Sequence, residues 1–364
     1  MITEIFRYLT RWFYCDKLNA GGALMKRFLF ATTALYAIVA IIQFYGCESS
    51  TEFLPPPYPE PPEFGPAHTA LAHGLAGSWD DKNVANCSVI RDGDTLRMWY
   101  SGSSTADPVY KIGYAWSTDY IHWNRQGDSY VLAKSFDWEG PDFGRPVVIK
   151  DGGMFRMWYH GWTEDVPFVV GYAVSNDGIN WTKNDQPVLE RTSAGFGSYE
   201  IGLWSVIKID NLLHGWYYGT NNDYTSGKGC IGYGTSTDGI SWPDTALCLR
   251  NSSVAGHWEK DYAIDPLVVI TEVNGNPWQE MLYLGFSRDP LYPDLGYAVK
   301  KDNAEDSWHK SPKNPIRENS DLTPVMESFI WLDTLIRDPD TGTYYLWYTA
   351  YNERYEIRYC VGTR

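Results

Sequence analysis

Five acidic residues stand immediately ahead of five apolar, strand-like segments: Asp81 in "WDDKNVANC", Asp142 in "EGPDFGRP", Glu200 in "SYEIGLW", Asp261 in "EKDYAIDP" and Glu327 in "VMESFIW". Carboxylates gathered at one opening raise each other's proton affinity, so at pH 7 some must stay neutral or find a cation. An acid that keeps its proton beside one that has lost it is the pair that glycosidic cleavage needs. One protonates the leaving oxygen and the other takes a proton from water. Taken singly, each of these carboxylates reads better as a solvated loop cap. The chemistry depends on a fold that brings them to one place.

Such a fold is written in the repeats. The segments "IGYAWSTDYIHW", "VGYAVSNDGINW" and "IGYGTSTDGISW" recur at a spacing of about sixty residues, the size of a four-stranded propeller blade. Each alternates apolar and small or polar residues and returns on a tryptophan such as Trp181, and the second and third turn at an Asp-Gly pair such as Asp177-Gly178. That pattern is a β-hairpin. A preceding segment recurs five times as "MWYSG", "MWYHG", "WYYGT", "LYLGF" and "LWYTA". A first segment does so as "CSVIRDG", "PVVIKDG", "WSVIKID", "PLVVITE" and "DTLIRDP". The expected fold is all-β, a five-bladed β-propeller of four-stranded antiparallel blades, with Trp181 and its equivalents packed between sheets. The last copy ends at "IRYCVGTR" after three strands. A strand from about residues 67 to 78 is expected to complete the fifth sheet and cover its edge.

These motifs, close to "MWYxG…IGYAxSxDGxxW" over about residues 78–364, resemble the five-bladed glycoside hydrolases, notably family 43 and its levanase-like and mannoside phosphorylase relatives. The resemblance implies a general base in the first blade, an orienting aspartate in the second and a general acid in the third. Carried over, these are Asp81 (with Asp80 as rival), Asp142 in Gly140-Pro141-Asp142, and Glu200. It favours inversion, with carboxyls about 6.5 to 9.5 Å apart. Tyr199 and Trp204 are placed to desolvate Glu200. Arg145 is placed to neutralise the acidic rim, or to bind a substrate hydroxyl or, in a phosphorylase, phosphate. Asp261, Asp265 and Glu327 complete the expected substrate-binding set, with Asp265-Pro266 at the matching place in the fourth blade and expected to pair with Arg145 across the channel. His160 and His214 read as structural, and no His and Cys spacing resembles a zinc site. No metal or other cofactor is expected, with calcium in the channel left open. Two other readings remain: a glycan-binding propeller without chemistry, and a mannoside phosphorylase relative.

Composition limits the partners. The 364 residues include 17 Trp and 27 Tyr, and the formal net charge is -15. Such a charge disfavours nucleic acid, whose affinity depends on Lys and Arg releasing counterions. Residues 1–24 read as an upstream extension. Residues 25–47 read as a lipoprotein signal, with Met25-Lys26-Arg27 ahead of the apolar run Phe28 to Tyr45 and lipidation expected at Cys47; the alternative is an uncleaved membrane anchor. Residues 48–66, containing "TEFLPPPYPEPPEFGP", read as a proline-stiffened tether, and 67–364 as the propeller. The expectation is an exported, lipid-anchored monomer at a bacterial cell envelope acting on carbohydrate. Cys230 and Cys248 flank the Gly239 hairpin, open to a disulfide or to two buried thiols.

Overall fold

The computed structural model describes residues 58–364 apart from 142, 163–167, 192–196, 222–228, 244–245, 253, 255, 288–292, 303–306 and 319–327. The segment 25–47 with Cys47, and the residues Asp142 and Glu327, lie outside the described residues. Among the described residues the regular structure is all β apart from one 3-10 turn at Asp137–Glu139. Two short strands, β1 (Glu63–Phe64) and β2 (His68–Leu71), precede the repeats. Repeat I is β3 (Asn83–Asp92), β4 (Thr95–Ser103), β5 (Lys111–Ser117) and β6 (Asn124–Arg125). Repeat II is β7 (Gly144–Asp151), β8 (Met154–Gly161), β9 (Val169–Ser175) and β10 (Thr182–Lys183). Repeat III is β11 (Glu200–Ile209), β12 (Leu212–Thr220), β13 (Gly229–Ser236) and β14 (Ala246–Leu249). Repeat IV is β15 (Tyr262–Val273), β16 (Asn276–Phe286), β17 (Asp294–Lys301) and β18 (His309–Lys310). Repeat V is β19 (Ser328–Arg337), β20 (Tyr344–Asn352) and β21 (Arg354–Thr363).

Each repeat is an antiparallel meander of neighbouring strands, and β13 and β15 meet at one parallel bridge, Gly229 to Tyr262. Repeat V takes its outer pairing from ahead of repeat I. His68 lies opposite Tyr359 and Leu71 opposite Ile357, while β1 pairs with the end of β21. The final part of the proline-rich segment is therefore docked. The Tyr297 hydroxyl donates to Pro59 O, and Arg317 donates to the carbonyls of Phe64 and Gly65. Cys230 and Cys248 are separate thiols, not a disulfide.

Neighbouring repeats are joined on both sides of each sheet. The carbonyl of Gly178 at the hairpin turn accepts two indole N–H groups, from Trp99 of repeat I at 2.7 Å and from Trp181 of its own repeat at 3.1 Å. Gly239 does the same for Trp158 and Trp242. Repetition of the Asp-Gly…Trp motif thus repeats one inter-sheet joint. In repeat I the turn residue is Tyr120, also at positive φ, and its ring stacks 3.9 Å from Tyr345 while Trp123 meets Trp347 edge-on. Towards the first strands, hydroxyls take over. Ser88 accepts Val148 N–H, Ser205 accepts Val268 N–H and Thr334 accepts Val89 N–H, so repeats I–II, III–IV and V–I are stitched near their inner edges. Ionic contacts follow the same order, with Lys150 on Asp92, Lys208 on Asp151 and Arg91 on Asp338.

A second recurring set anchors each fourth strand. Asp80 accepts from the Tyr100 hydroxyl and pairs with Arg125. Glu139 does so with Tyr159 and Lys183, and Glu259 with Tyr283 and Lys310. Each carboxylate follows a tryptophan, Trp79, Trp138 or Trp258. Buried, paired and bonded to a tyrosine, these acids fasten the outer strand to the second strand. In the same sheets Gly113, Gly171 and Gly296 leave space for Tyr100, Tyr159 and Tyr283, whose rings lie 2.3–2.6 Å from where a Cβ would stand.

Two glycines separate backbone strain from packing at the inter-repeat joint. Gly178 has φ +79 and a Cβ there would meet Trp99 at 2.8 Å, whereas Gly152 has φ +62 and open space around it. Gly152→Ala should cost only left-handed strain, about 1–2 kcal/mol. Gly178→Ala adds a collision with a buried indole, about 1–3 kcal/mol more, and should lower Tm further by several degrees. Equal shifts in thermal unfolding would show that Trp99 does not hold this turn.

Candidate functional site in the central cavity

Every first strand breaks its ladder at the same place. The pairing with the second strand skips Asn86 in β3, Arg145 in β7, Trp204 in β11, Asp265 in β15 and Asp333 in β19. Such bulges re-aim a side chain that regular alternation would send into the sheet packing. Three of them hold a non-glycine residue at positive φ: Asn86 at +50, Arg145 at +51 and Asp265 at +54. That conformation costs on the order of 1–3 kcal/mol at each and persists where surrounding structure enforces it. The residues so presented are of types that bind and react.

They converge. A cavity of about 20 Å³, room for one water, is lined by Asn86, Cys87, Arg145, Pro146, Val147, His160, Leu203, Trp204, Leu332 and Asp333. Beyond it a cavity of about 310 Å³ is lined by residues of all five first strands. It shares Pro146, Val147, Trp204 and Asp333 with the smaller one. Arg145 is held by rings, its guanidinium 4.2 Å from the Trp331 centroid, 5.3 Å from Trp204 and 5.4 Å from Phe168. Such cation–π contacts strengthen as water is excluded. Trp204 donates from its indole to Leu332 O and packs 5.1 Å from His160.

Asp265 is 1% exposed. Its Oδ2 accepts Leu332 N–H, while Oδ1 has no hydrogen-bond partner among the described residues. Burial pushes its pKa up to about 8, and the negative charges of Asp333 and Glu200 add to burial against the opposing pull of Arg145. The Thr349 hydroxyl donates to the Asp333 carboxyl, 3.1 and 2.9 Å from its two oxygens, and in turn accepts Asn86 N–H at 2.7 Å. The Asp333 side chain faces the cavity but is otherwise enclosed by protein, and burial raises its pKa to about 7 although Thr349, Cys87 and Arg145 lower it. Glu200 is fully buried at the start of β11. His160 is neutral, its pKa depressed to about 3 by burial and then by Arg145; Nε2 lies 2.9 Å from Leu203 O, so this nitrogen carries the proton.

Of the residues expected from the sequence, Arg145 and Trp204 line the cavity, and Asp265 and Glu200 are buried close enough for their charges to interact. Asp261 begins the approach to β15, where its N–H bonds Phe286 O and its carbonyl accepts Gly229 N–H. Asp81 sits in a loop where its oxygens accept the N–H groups of Gly77 and Thr105; those two bonds hold its pKa below the usual carboxylate value. Its neighbour Asp80 belongs to the Tyr100–Arg125 anchor. Asp333 was not anticipated. Its signal was the register that "LDTLIRDP" shares with "IDPLVVITE".

The two elevated aspartates bind protons more tightly in the folded chain than in the unfolded one. Their contribution to stability is fully present below the unfolded value near 3.8. It is lost as pH rises through about 7 and 8. This runs opposite to the loop carboxylates Asp119, Asp177 and Asp238, whose lowered values favour folding at higher pH. Asp265→Asn should therefore flatten the fall in Tm between pH 5 and 8.5 and raise Tm at the alkaline end. An unchanged slope would mean that Asp265 is ionised in the fold.

No protein-family model matches the chain. Two uncharacterized proteins of Mycobacterium tuberculosis, MT1551 and Rv1502, are 32% and 33% identical to it over 213 residues, covering 56% of this chain and 68% of each relative. Its fold is similar to that of a member of the GH130 mannoside phosphorylase family, described as containing glycoside hydrolases that target β-1,2 mannosidic linkages in Candida mannan. The TM-score is 0.60, with 14% identity over 86% of this chain and 96% of that one. A glycosyl hydrolase from Bacteroides ovatus gives 0.57, with 14% identity over 78% and 84%. A β-1,2-mannobiose phosphorylase from Listeria innocua gives 0.56, with 13% identity over 77% and 89%. At such identities the likeness is one of fold. On the sequence shared with the two mycobacterial relatives, the chain belongs to the same family as MT1551 and Rv1502.

Proposed function

We propose that the chain is a glycoside hydrolase built as a five-bladed β-propeller, with its active centre where the five first strands meet. The observation that carries this reading is the buried group of Asp265 and Asp333 beside Arg145, with Glu200 acting on Asp265, drawn from separate repeats in a fold shared with glycan-active enzymes. Asp265, with pKa near 8, keeps its proton at neutral pH and serves as the general acid toward the glycosidic oxygen. The buried charge of Glu200 helps keep that proton in place. Asp333, with pKa near 7, faces the water-sized cavity and takes a proton from the attacking water. Arg145 limits the rise in both carboxyls and, held over Trp331 and Trp204, is placed to bind a substrate hydroxyl.

This division of roles differs from the one implied by the family 43 resemblance, which rests on Asp81, Asp142 and Glu200. With Asp81 bonded to two loop N–H groups, the bulge residues are better placed to react. The N-terminal reading stays with the proposal: export through residues 25–47, lipidation at Cys47, and a monomer acting on carbohydrate outside the cytoplasm.

The test is reducing-end release from a polysaccharide panel and hydrolysis of aryl glycosides, with and without phosphate. Asp265→Asn and Asp333→Asn should each lower kcat/KM by about 10²–10⁴-fold, and the wild-type profile should peak between about pH 7 and 8. Glu200→Gln should move the alkaline limb to lower pH. Full activity in Asp265→Asn with loss in Asp81→Asn would return the chemistry to the loop carboxylate. Sugar binding without turnover would leave a glycan-binding propeller.

A further inference from the structure

The repeats differ in the length of one connection. Ser328 at the start of β19 lies opposite Tyr351 near the end of β20, so the link from second to third strand stands at the end where the first strand begins. In repeats I to IV that link spans 104–110, 162–168, 221–228 and 287–293, whereas in repeat V it is Glu353 alone, at φ +60. So tight a reversal sets Tyr351 directly across from Tyr355 as a cross-strand pair, with ring centroids 5.1 Å apart. Tyr355 lies 5.3 Å from Trp331, the ring that carries the Arg145 guanidinium at 4.2 Å. Tyr351, at the outer end of this series, is 46% exposed.

A file of aromatic rings therefore runs from the Arg145 guanidinium to solvent beside the repeat whose connection is shortest. Polar groups flank it. Arg354 donates from Nη1 to Asp81 O, and Asn83 Oδ1 accepts Tyr355 N–H, which fixes the hairpin against the loop ahead of repeat I. Aromatic faces beside hydrogen-bonding groups suit a pyranose or furanose ring, whose C–H face is apolar and whose edge carries hydroxyls.

We propose that Tyr351 and Tyr355 form an outer sugar-binding subsite, carrying the residue next to the one held at the carboxylates, so that the substrate is an oligosaccharide or a polysaccharide end. The proposal rests on the glycan-active reading of the centre and adds the direction in which the chain leaves it. The part of the Tyr351 ring that Tyr355 leaves exposed is then given an occupant, the second sugar of the substrate.

Calorimetric titration tests this in the whole chain carrying Asp265→Asn, so that bound sugar is not consumed. The probes are the mono-, di- and trisaccharides of mannose, xylose and arabinofuranose. The trisaccharide that binds should do so about tenfold more tightly than its monosaccharide. Tyr351→Ala should remove most of that advantage, about three- to tenfold, and Tyr351→Trp, which keeps a ring, should retain it. An advantage that survives Tyr351→Ala, or no advantage in the parent chain, overturns the subsite. Failure of every sugar to bind overturns the glycan reading itself, and the subsite with it.

Discussion

A strand that lines a crowded cavity cannot keep an unbroken ladder and also aim a charged side chain inward, and the bulge in each first strand is how this chain meets that constraint. Asn86, Arg145, Trp204, Asp265 and Asp333 all leave the pairing with the second strand at one register. Left-handed backbone at three of these positions is unfavourable for any residue with a Cβ. The rest of the molecule supplies what holds it there: indoles bonded to turn carbonyls between repeats, hydroxyls stitched to first-strand amides, and Asp–Tyr–Arg or Glu–Tyr–Lys anchors under the outer strands. The site is thus a property of the assembled repeats, since no single sheet contains more than a fraction of it.

Electrostatics follows from that assembly. Desolvation would neutralise any one buried carboxylate, and three together raise each other further. Arg145 offsets part of this, and its own charge is tolerated because Trp331, Trp204 and Phe168 present their faces to it. Thr349 adds a hydroxyl to Asp333 but among the described residues none reaches Asp265 Oδ1, so the two aspartates differ in environment. Two buried acids whose pKa values are raised toward neutrality are groups able to exchange protons near pH 7.

Much of the architecture was legible in the sequence because a motif written several times exposes its own register. Alternation fixed the strands, Asp177-Gly178 and Asp238-Gly239 fixed hairpin turns, and the missing fourth strand after Cys360 pointed to the segment containing His68–Leu71. What Trp99 does was not legible: its partner is a carbonyl in the following repeat. The site was legible only in part. Glu200, Arg145, Trp204 and Asp265 could be picked out by position, but reading the acids ahead of each strand favoured Asp81 and passed over Asp333, which lies within one. Bulges are set by backbone geometry and leave little trace in composition, so the residues that they turn inward look like ordinary strand positions.

The most direct measurement is a crystal structure of the whole chain with a bound monosaccharide product. If the five first strands hold one hydrolytic centre, the sugar's anomeric carbon lies between the carboxyls of Asp265 and Asp333, with Arg145 within hydrogen-bonding reach of a ring hydroxyl. A sugar seated instead at Asp81, or on an outer face of the sheets with the cavity filled only by water, contradicts it.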